Sequence, residues 1–168
     1  ELESFKWKQM KKKIPEEIIK KYTELAEKTW QNFRDDPNNP RTPEQRKEHR
    51  LRGLLTEYAC TQDLQSFGVP VGPVYEGNIP DDGRDVKAPK GSVNVKGILG
   101  EEFDSGHHTR LFKNYWDKGD FYAAYKIYYS TNEYEFLGFR ESNIVKSTNP
   151  FFLKWLNPNL NELALKLH

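Results

Sequence analysis

An aspartate and a lysine on either side of a predicted hairpin turn are the residues in this sequence best suited to chemistry. Asp85 closes the run Asp81-Asp82-Gly83-Arg84-Asp85, and Asn94-Val95-Lys96 begins nine residues later. In a strand, residues two apart project from the same face, so Asn94 and Lys96 are predicted to point together. The pattern predicts a metal ion and a proton-handling group side by side.

Hydrolysis of a phosphodiester bond uses this combination. A divalent cation held by oxygen ligands stabilises charge on the phosphate and lowers the pKa of an attacking water. A lysine beside the cation can orient that water or bind the phosphate. Glu57 lies at the edge of the apolar stripe of a predicted helix, where a carboxylate would not be placed for solubility alone, so it is a further candidate ligand.

These residues resemble the PD-(D/E)XK nuclease superfamily, which includes many restriction, repair and phage nucleases. The resemblance covers about residues 53–146 and rests on five segments: Gly53-Leu54-Leu55-Thr56-Glu57-Tyr58-Ala59, Asp82-Gly83-Arg84-Asp85, Val93-Asn94-Val95-Lys96-Gly97, Asp120-Phe121-Tyr122-Ala123-Ala124 and Phe136-Leu137-Gly138-Phe139. It implies a restriction-endonuclease-like α/β (α+β) fold, with a central mixed β-sheet flanked by helices. It also implies a Mg²⁺- or Mn²⁺-dependent endonuclease that acts on double-stranded DNA.

The resemblance assigns a role to each residue of the motif. The catalytic residues are Glu57, Asp85, Asn94 and Lys96, and the metal ligands are Asp85, Asn94, Glu57 and the backbone carbonyl of Val95. Lys96 positions or activates water. Asn94 departs from the pattern, which has Asp or Glu there, and a neutral amide would hold the metal less tightly. Natural variation, a degenerate inactive relative and a deliberate Asp-to-Asn change each explain this departure.

Basic residues near the motif supply candidate DNA contacts. They are Arg84, Lys87 and Lys90 in the hairpin and His107, His108, Arg110 and Lys113 in the following loop. Phosphate contacts and proton transfer suit these residue types, although an ordinary solvated hairpin or loop explains them equally well. The same two interpretations apply to the broader basic clusters at 6–13, 41–52 and 84–96. An HNH-type site lacks a third well-spaced histidine.

The tryptophans are predicted to serve packing rather than base stacking. Trp7, Trp30, Trp116 and Trp155 are assigned to core or edge packing. The dipeptide Tyr115-Trp116 is the exception, because it lies in the loop that could approach DNA.

The elements that must position these residues follow from apolar spacing. An amphipathic helix is predicted over 15–34, and a second helix begins at the N-cap Thr42, with Pro43 and Gln45 behind it, and runs to about Gly68. A turn, one short strand and a loop are predicted over 69–83, and a long loop over 100–119. A strand at 93–98 is predicted after a hairpin turn at Lys90-Gly91, and strands at 121–130 and 134–140 are predicted to form a hairpin through Thr131-Asn132-Glu133. A short helix is predicted to follow at 141–146.

Length and composition bound the remaining possibilities. The 168 residues fit one domain, with a core at about 42–146, an N-terminal helical segment at 1–41 and a C-terminal tail at 147–168. The absence of a run of about 18 apolar residues predicts a soluble, cytoplasmic protein without a membrane partner. The lone Cys60 excludes an intramolecular disulfide and favours core packing. No phosphate-binding glycine loop, Ser-His-Asp grouping or dinucleotide fingerprint is present.

The sequence thus predicts a metal-dependent DNA endonuclease of the phage, restriction or homing type. Small nucleases of this type often pair to cut both strands, so a homodimer or higher homo-oligomer is expected. A catalytically inactive DNA-binding module on the same fold is the alternative, favoured by Asn94. A structural domain carrying the motif by chance is a third interpretation.

Overall fold

A mixed five-stranded sheet forms the body of this α+β protein. The computed structural model describes residues 10–80 and 83–168; Trp7, the start of the 6–13 basic cluster, Asp81 and Asp82 lie outside the described residues. The strands are β1 (Lys12–Lys13), β2 (Val86–Ala88), β3 (Gly91–Leu99), β4 (Phe121–Tyr128) and β5 (Glu133–Glu141). The helices are α1 (Glu16–Thr29), α2 (Pro43–Ser66), α3 (Gly100–Asp104), α4 (Ser142–Ser147) and α5 (Leu160–Leu167), with 3₁₀ turns at Trp30–Asn32 and Leu153–Trp155.

The order of strands across the sheet is β1-β5-β4-β3-β2. The pairs β1/β5, β4/β5 and β2/β3 are antiparallel, whereas β3 and β4 are parallel. A parallel pair needs a long crossover between its strands. The segment 100–120 is that crossover, and the predicted loop at 100–119 therefore serves to carry the chain back to the start of β4.

Helix α2 begins as the sequence predicted. The Thr42 hydroxyl accepts a hydrogen bond from the Gln45 backbone N–H at 3.2 Å, and the Gln45 side-chain oxygen accepts one from the Thr42 N–H at 2.9 Å. Pro43 occupies the first turn, which confirms the predicted capping box. In the part of the chain that the structure describes, no helix combines the length and apolar character needed to cross a membrane.

The two faces of the sheet bury separate apolar clusters. Leu54, Leu55 and Ala59 of α2 pack with Val93 and Val95 of β3 in the larger cluster. Helices α1 and α5 join the same cluster through Tyr22, Ala26, Leu160, Leu163 and Leu167. The opposite face is covered by Val145 of α4, with Phe151 and Leu153 of the tail. The buried Cys60 lies in the larger cluster, as predicted, and burial raises the pKa of its thiol.

Three elements differ from the sequence prediction. The described part of the 69–83 segment contains no strand, because Pro70, Pro73 and Pro80 lack the N–H that a ladder requires. The 100–119 segment is not entirely irregular, since α3 occupies its first five residues. Finally, β1 adds a two-residue edge strand beside β5, too short to leave a periodic signal in the sequence.

Candidate functional site

A cavity of about 380 Å³ opens between α2, the middle of β3 and the end of the crossover that leads into β4. A further wall comes from the segment between Trp30 and Arg46, which connects α1 to the first turns of α2. This volume is at the lower end of the range of about 300–1,000 Å³ that is typical of small-molecule sites.

One face of helix α2 lines the cavity along its length. Arg46, His49, Arg50, Gly53 and Glu57 follow one another at short helical intervals and all face the cavity. The helix therefore presents basic groups near its start and a carboxylate two to three turns later. Seven residues separate Arg50 from Glu57, which corresponds to about 10 Å along the helix axis.

Three carboxylates and a lysine are among the residues that line the cavity: Glu57, Asp85, Lys96 and Asp117, here together called the acidic end. The Asp85 Oδ2 atom accepts a hydrogen bond from the Val95 backbone N–H at 2.8 Å. Because the N–H and C=O of a strand residue point to the same side, the Val95 carbonyl also lies on the Asp85 side of β3. The hairpin thus joins Asp85 to the strand that carries Lys96, as its spacing predicted.

Asp117 is the acidic residue that sequence reasoning missed. The Lys96 ammonium lies 3.0 Å from its Oδ2 and 3.2 Å from its Oδ1. Oδ2 also accepts hydrogen bonds from the Tyr122 hydroxyl at 2.7 Å and from the Asn114 N–H at 2.9 Å. Burial, reinforced by the Asp117 carboxylate, raises the pKa of Tyr122, so its hydroxyl stays protonated and donates. The crossover therefore fixes a carboxylate against Lys96 from 21 residues away in sequence.

Asn94 does not reach the cavity. Its side chain is fully buried, its Oδ1 accepts the Gly119 N–H at 3.0 Å, and its Nδ2 donates to the Gly119 carbonyl at 3.4 Å. A Cβ on residue 119 would lie 2.8 Å from the Asn94 N and Nδ2 atoms, so the contact requires glycine there. Asn94 shares the face of β3 with Lys96, as predicted, but its amide fastens the crossover to the strand.

Replacing Asn94 with aspartate is expected to destabilise the fold and not to increase any cleavage activity. A carboxylate at this position would lose the donor to the Gly119 carbonyl and bury a charge beside it, a loss of about 1–3 kcal/mol in the free energy of unfolding. Urea denaturation of the wild type and Asn94→Asp measures that loss. The matched control is Asn143→Asp on an exposed side chain of α4, which should change stability by less than about 0.5 kcal/mol. A clear rise in metal-dependent cleavage in Asn94→Asp would contradict this placement.

The predicted DNA contacts lie outside the cavity. Lys87 and Lys90 are exposed on the β2–β3 hairpin, and Arg84 lies between the lining residues Gly83 and Asp85. His107 contacts the Ser105 hydroxyl, His108 stands edge-on to Phe112, and Arg110 lies over the Phe152 ring. The Lys113 ammonium donates to the Val145 and Thr148 carbonyls. Lys113 therefore anchors the crossover to α4, and none of the seven lines the site.

The other charged and aromatic lining residues are here together called the basic end; one of them is Trp116, from the Tyr115-Trp116 pair that the sequence placed in a loop that could approach DNA. This basic end contains Trp30, Phe33, Arg34, Arg41, Arg46, His49, Arg50, Trp116 and Lys118. The basic cluster at 41–52 was the sequence signal that could have identified these residues, because four of them come from it. Partial burial, with the guanidinium groups of Arg52 and Arg41, lowers the pKa of His49 to about 4. The positive charge at neutral pH therefore comes from arginine and lysine.

The donor set at the acidic end fits a magnesium ion. Within residues 10–80 and 83–168, no three His, Cys, Asp or Glu side chains form a ready metal-binding group. Magnesium, however, keeps several waters and is commonly held by one or two carboxylates together with substrate phosphate. Glu57, Asp85 and the Val95 carbonyl offer that oxygen chemistry in one cavity.

Comparisons with known proteins gave no matching family model, no matching curated protein and no matching solved structure. Any functional assignment for this chain therefore rests on its own residues and their geometry.

Proposed function

We propose that the protein is a metal-dependent DNA endonuclease with a restriction-endonuclease-like arrangement of its sheet and helices. The proposal rests mainly on one observation: Glu57, Asp85, Lys96 and Asp117 line the same cavity as the arginines of the basic end. Carboxylates beside a lysine can bind a cation and a water, and the arginines of the basic end can bind phosphates. The hairpin order Asp85 and then Lys96 follows the pattern that the resemblance to PD-(D/E)XK nucleases implies, whereas position 94, where that pattern has an acid, lies outside the cavity.

In this proposal each residue of the acidic end has its own task. Glu57 and Asp85, with the Val95 carbonyl, would hold Mg²⁺, which supplies charge stabilisation at the phosphate and a water of lowered pKa. The Val95 N–H fixes the direction of the Asp85 carboxylate. Asp117 holds the Lys96 ammonium in the cavity, and Tyr122 and Asn114 hold Asp117 in turn. Lys96 is thus positioned to donate to the phosphate or to orient the attacking water.

The inactive-module alternative loses part of its basis. It was favoured because an amide occupies the position of a metal-binding acid, but the Asn94 amide is engaged with Gly119, away from the cavity. Asp117 brings a further carboxylate to the lysine by another route. Asn94 therefore does not by itself argue for an inactive site.

The test is cleavage of supercoiled plasmid and of linear duplex and single-stranded DNA with Mg²⁺, with Mn²⁺ and with EDTA. We expect nicked, linear or shortened products with either metal and none with EDTA, because the phosphate charge and the water both require the cation. If no DNA is cut with either metal while DNA still binds, the binding-module interpretation replaces the nuclease. If DNA neither binds nor is cut, the assignment is wrong.

A further inference from the structure

The basic end of the cavity holds its arginines by stacking them on aromatic rings. The Arg34 guanidinium lies 4.3 Å from the centre of the Trp116 ring, Arg46 lies 4.9 Å from Trp30, and Arg50 lies 3.9 Å from Phe33. Stacking fixes the plane of a guanidinium without consuming its charge. Arg46 also donates to the Phe33 carbonyl at 2.8 Å, and Arg50 donates to the Thr29 hydroxyl and the Gly77 carbonyl. The Trp116 and Trp30 rings therefore hold Arg34 and Arg46 in place without neutralising them.

Three cations of the cavity are balanced differently from neighbouring cations outside it. On the outer faces of α2, Arg52 pairs with Glu48 at 2.7 Å and Lys47 pairs with Glu27 at 2.9 Å. Among the described residues, no carboxylate lies within 4 Å of the cavity cations Arg34, Arg46 and Lys118. Counted over the described lining residues alone, arginines and lysines outnumber carboxylates, and a bound anion would offset the difference.

The shape and lining of the basic end point to an anion that also carries a flat ring. Four half-buried aromatic residues, Trp30, Phe33, Tyr75 and Trp116, line the cavity. A small inorganic anion would fill only a small part of the whole cavity of about 380 Å³ and would not use these rings. A nucleotide satisfies both, because its base stacks on aromatic side chains while its phosphate meets arginine.

Only an unpaired nucleotide can make these contacts. In a duplex the bases are stacked inside, and a base reaches a pocket only after it leaves the stack. We propose that the basic end of the cavity is a binding subsite for one unpaired nucleotide of a DNA strand, held by Arg34, Arg46 and Trp116. This proposal rests on the proposed function, and it makes single-stranded DNA or a frayed duplex end the substrate. The next phosphates of the same strand would lie along α2 and reach the acidic end.

Binding measured in EDTA tests the subsite without requiring cleavage. Fluorescence anisotropy compares a labelled single-stranded oligonucleotide with a blunt-ended hairpin duplex of the same composition. We expect the single strand to bind more tightly, and Arg34→Ala, Arg46→Ala and Trp116→Leu each to weaken it about tenfold. The arginine variants should also lower the slope of log affinity against log salt by about 0.7 each, whereas Trp116→Leu should not.

Lys47→Ala is the matched control. Lys47 is the neighbour of Arg46 on α2 and also approaches the Trp30 ring, at 5.9 Å, but it lies outside the cavity. Its loss should change binding by less than about threefold, since one surface charge is largely screened. Arg34 is exposed, so Arg34→Ala keeps the test valid even if Arg46→Ala disturbs folding.

The subsite and the nuclease can fail separately. If the blunt duplex binds as tightly as the single strand, or if Lys47→Ala weakens binding as much as the arginine variants, the subsite is wrong, whatever the cleavage assays show. If no DNA is cut but single-strand binding still depends on Arg34, Arg46 and Trp116, the subsite stands and the nuclease fails.

Discussion

Replacing Lys96 with methionine should lower the rate of metal-dependent DNA cleavage about 10²–10⁴-fold, the usual contribution of a positioned proton-handling group. Methionine keeps much of the length and the apolar stem of the side chain but removes the ammonium that lies 3.0 Å from Asp117. Binding of the DNA strand should change far less, because the basic end stays intact. Initial rates of cleavage of a labelled single-stranded oligonucleotide, together with anisotropy in EDTA, separate these two quantities.

Lys126→Met is the control for this experiment. Lys126 is also a half-buried sheet lysine that faces carboxylates, at 3.3 Å from Asp104 and 3.6 Å from Glu135, but it does not line the cavity. Cleavage by Lys126→Met should stay within a few-fold of wild type after correction for the folded fraction. Equal rates for Lys96→Met and the wild type would remove Lys96 from the mechanism.

Replacing Asp63 with alanine should lower the free energy of unfolding by about 3 kcal/mol, because it breaks a buried charged network. Asp63 lies on α2 with 1% of its side chain exposed and pairs with Lys12 of the edge strand β1. Its Oδ2 accepts the Tyr125 hydroxyl at 2.8 Å, and its Oδ1 accepts the Tyr134 hydroxyl at 3.3 Å. Tyr125 is fully buried, so its hydroxyl would be left without an acceptor. Urea denaturation measures the loss.

Asp104→Ala isolates the effect of burial in the same measurement. Asp104 also accepts from a tyrosine, Tyr128 at 2.7 Å, and pairs with a lysine, Lys126 at 3.3 Å. Its side chain is 48% exposed, so solvent can replace those contacts and the loss should be below about 1 kcal/mol. Equal losses for the two variants would show that the Asp63 network is no more stabilising than a surface contact.

The loss in Asp63→Ala should also depend on pH. Burial raises the pKa of the Asp63 carboxyl above its ordinary value, against the opposing effects of Lys12 and the two tyrosine hydroxyls. The folded chain therefore keeps a proton on Asp63 where the unfolded chain has released it. This contribution to stability is fully present below the ordinary pKa of about 3.9 and is lost as the pH rises through the folded value. The difference between wild type and variant should be larger at about pH 4.5 than at about pH 8.

Elements defined by local interactions could be predicted from the sequence. The start of α2 depends on Thr42, Pro43 and Gln45, three neighbours in the chain, and the capping box is present as predicted. The hairpin of β4 and β5 depends on closely spaced aromatic residues and a four-residue turn at 129–132, in which Asn132 adopts a positive φ of 52°. Residues close together in the chain determine such elements, because the hydrogen bonds of a cap or a turn join residues only a few positions apart.

The composition of the cavity could be predicted only in part. Asp85, Lys96 and Glu57 were found because a hairpin and a helix stripe impose fixed spacings on them. Asp117 was not, because the parallel pairing of β3 with β4 brings it to Lys96 across a crossover whose path no local pattern specifies. The same pairing directs the Asn94 amide to Gly119 instead of the cavity.

The sequence by itself thus determined the two long helices α1 and α2, the hairpins and the convergence of Asp85 with Lys96, because each depends on short-range geometry with a fixed period. Only the tertiary structure decided which cations have no carboxylate partner within the described part of the chain. Arg34 and Arg46 look like ordinary surface residues in the sequence, yet packing of the 30–46 segment over α2 and Trp116 stacks them on aromatic rings at one end of a cavity. That outcome depends on contacts between residues as far apart as 34 and 116, where chain connectivity imposes no spacing and burial decides the neighbours.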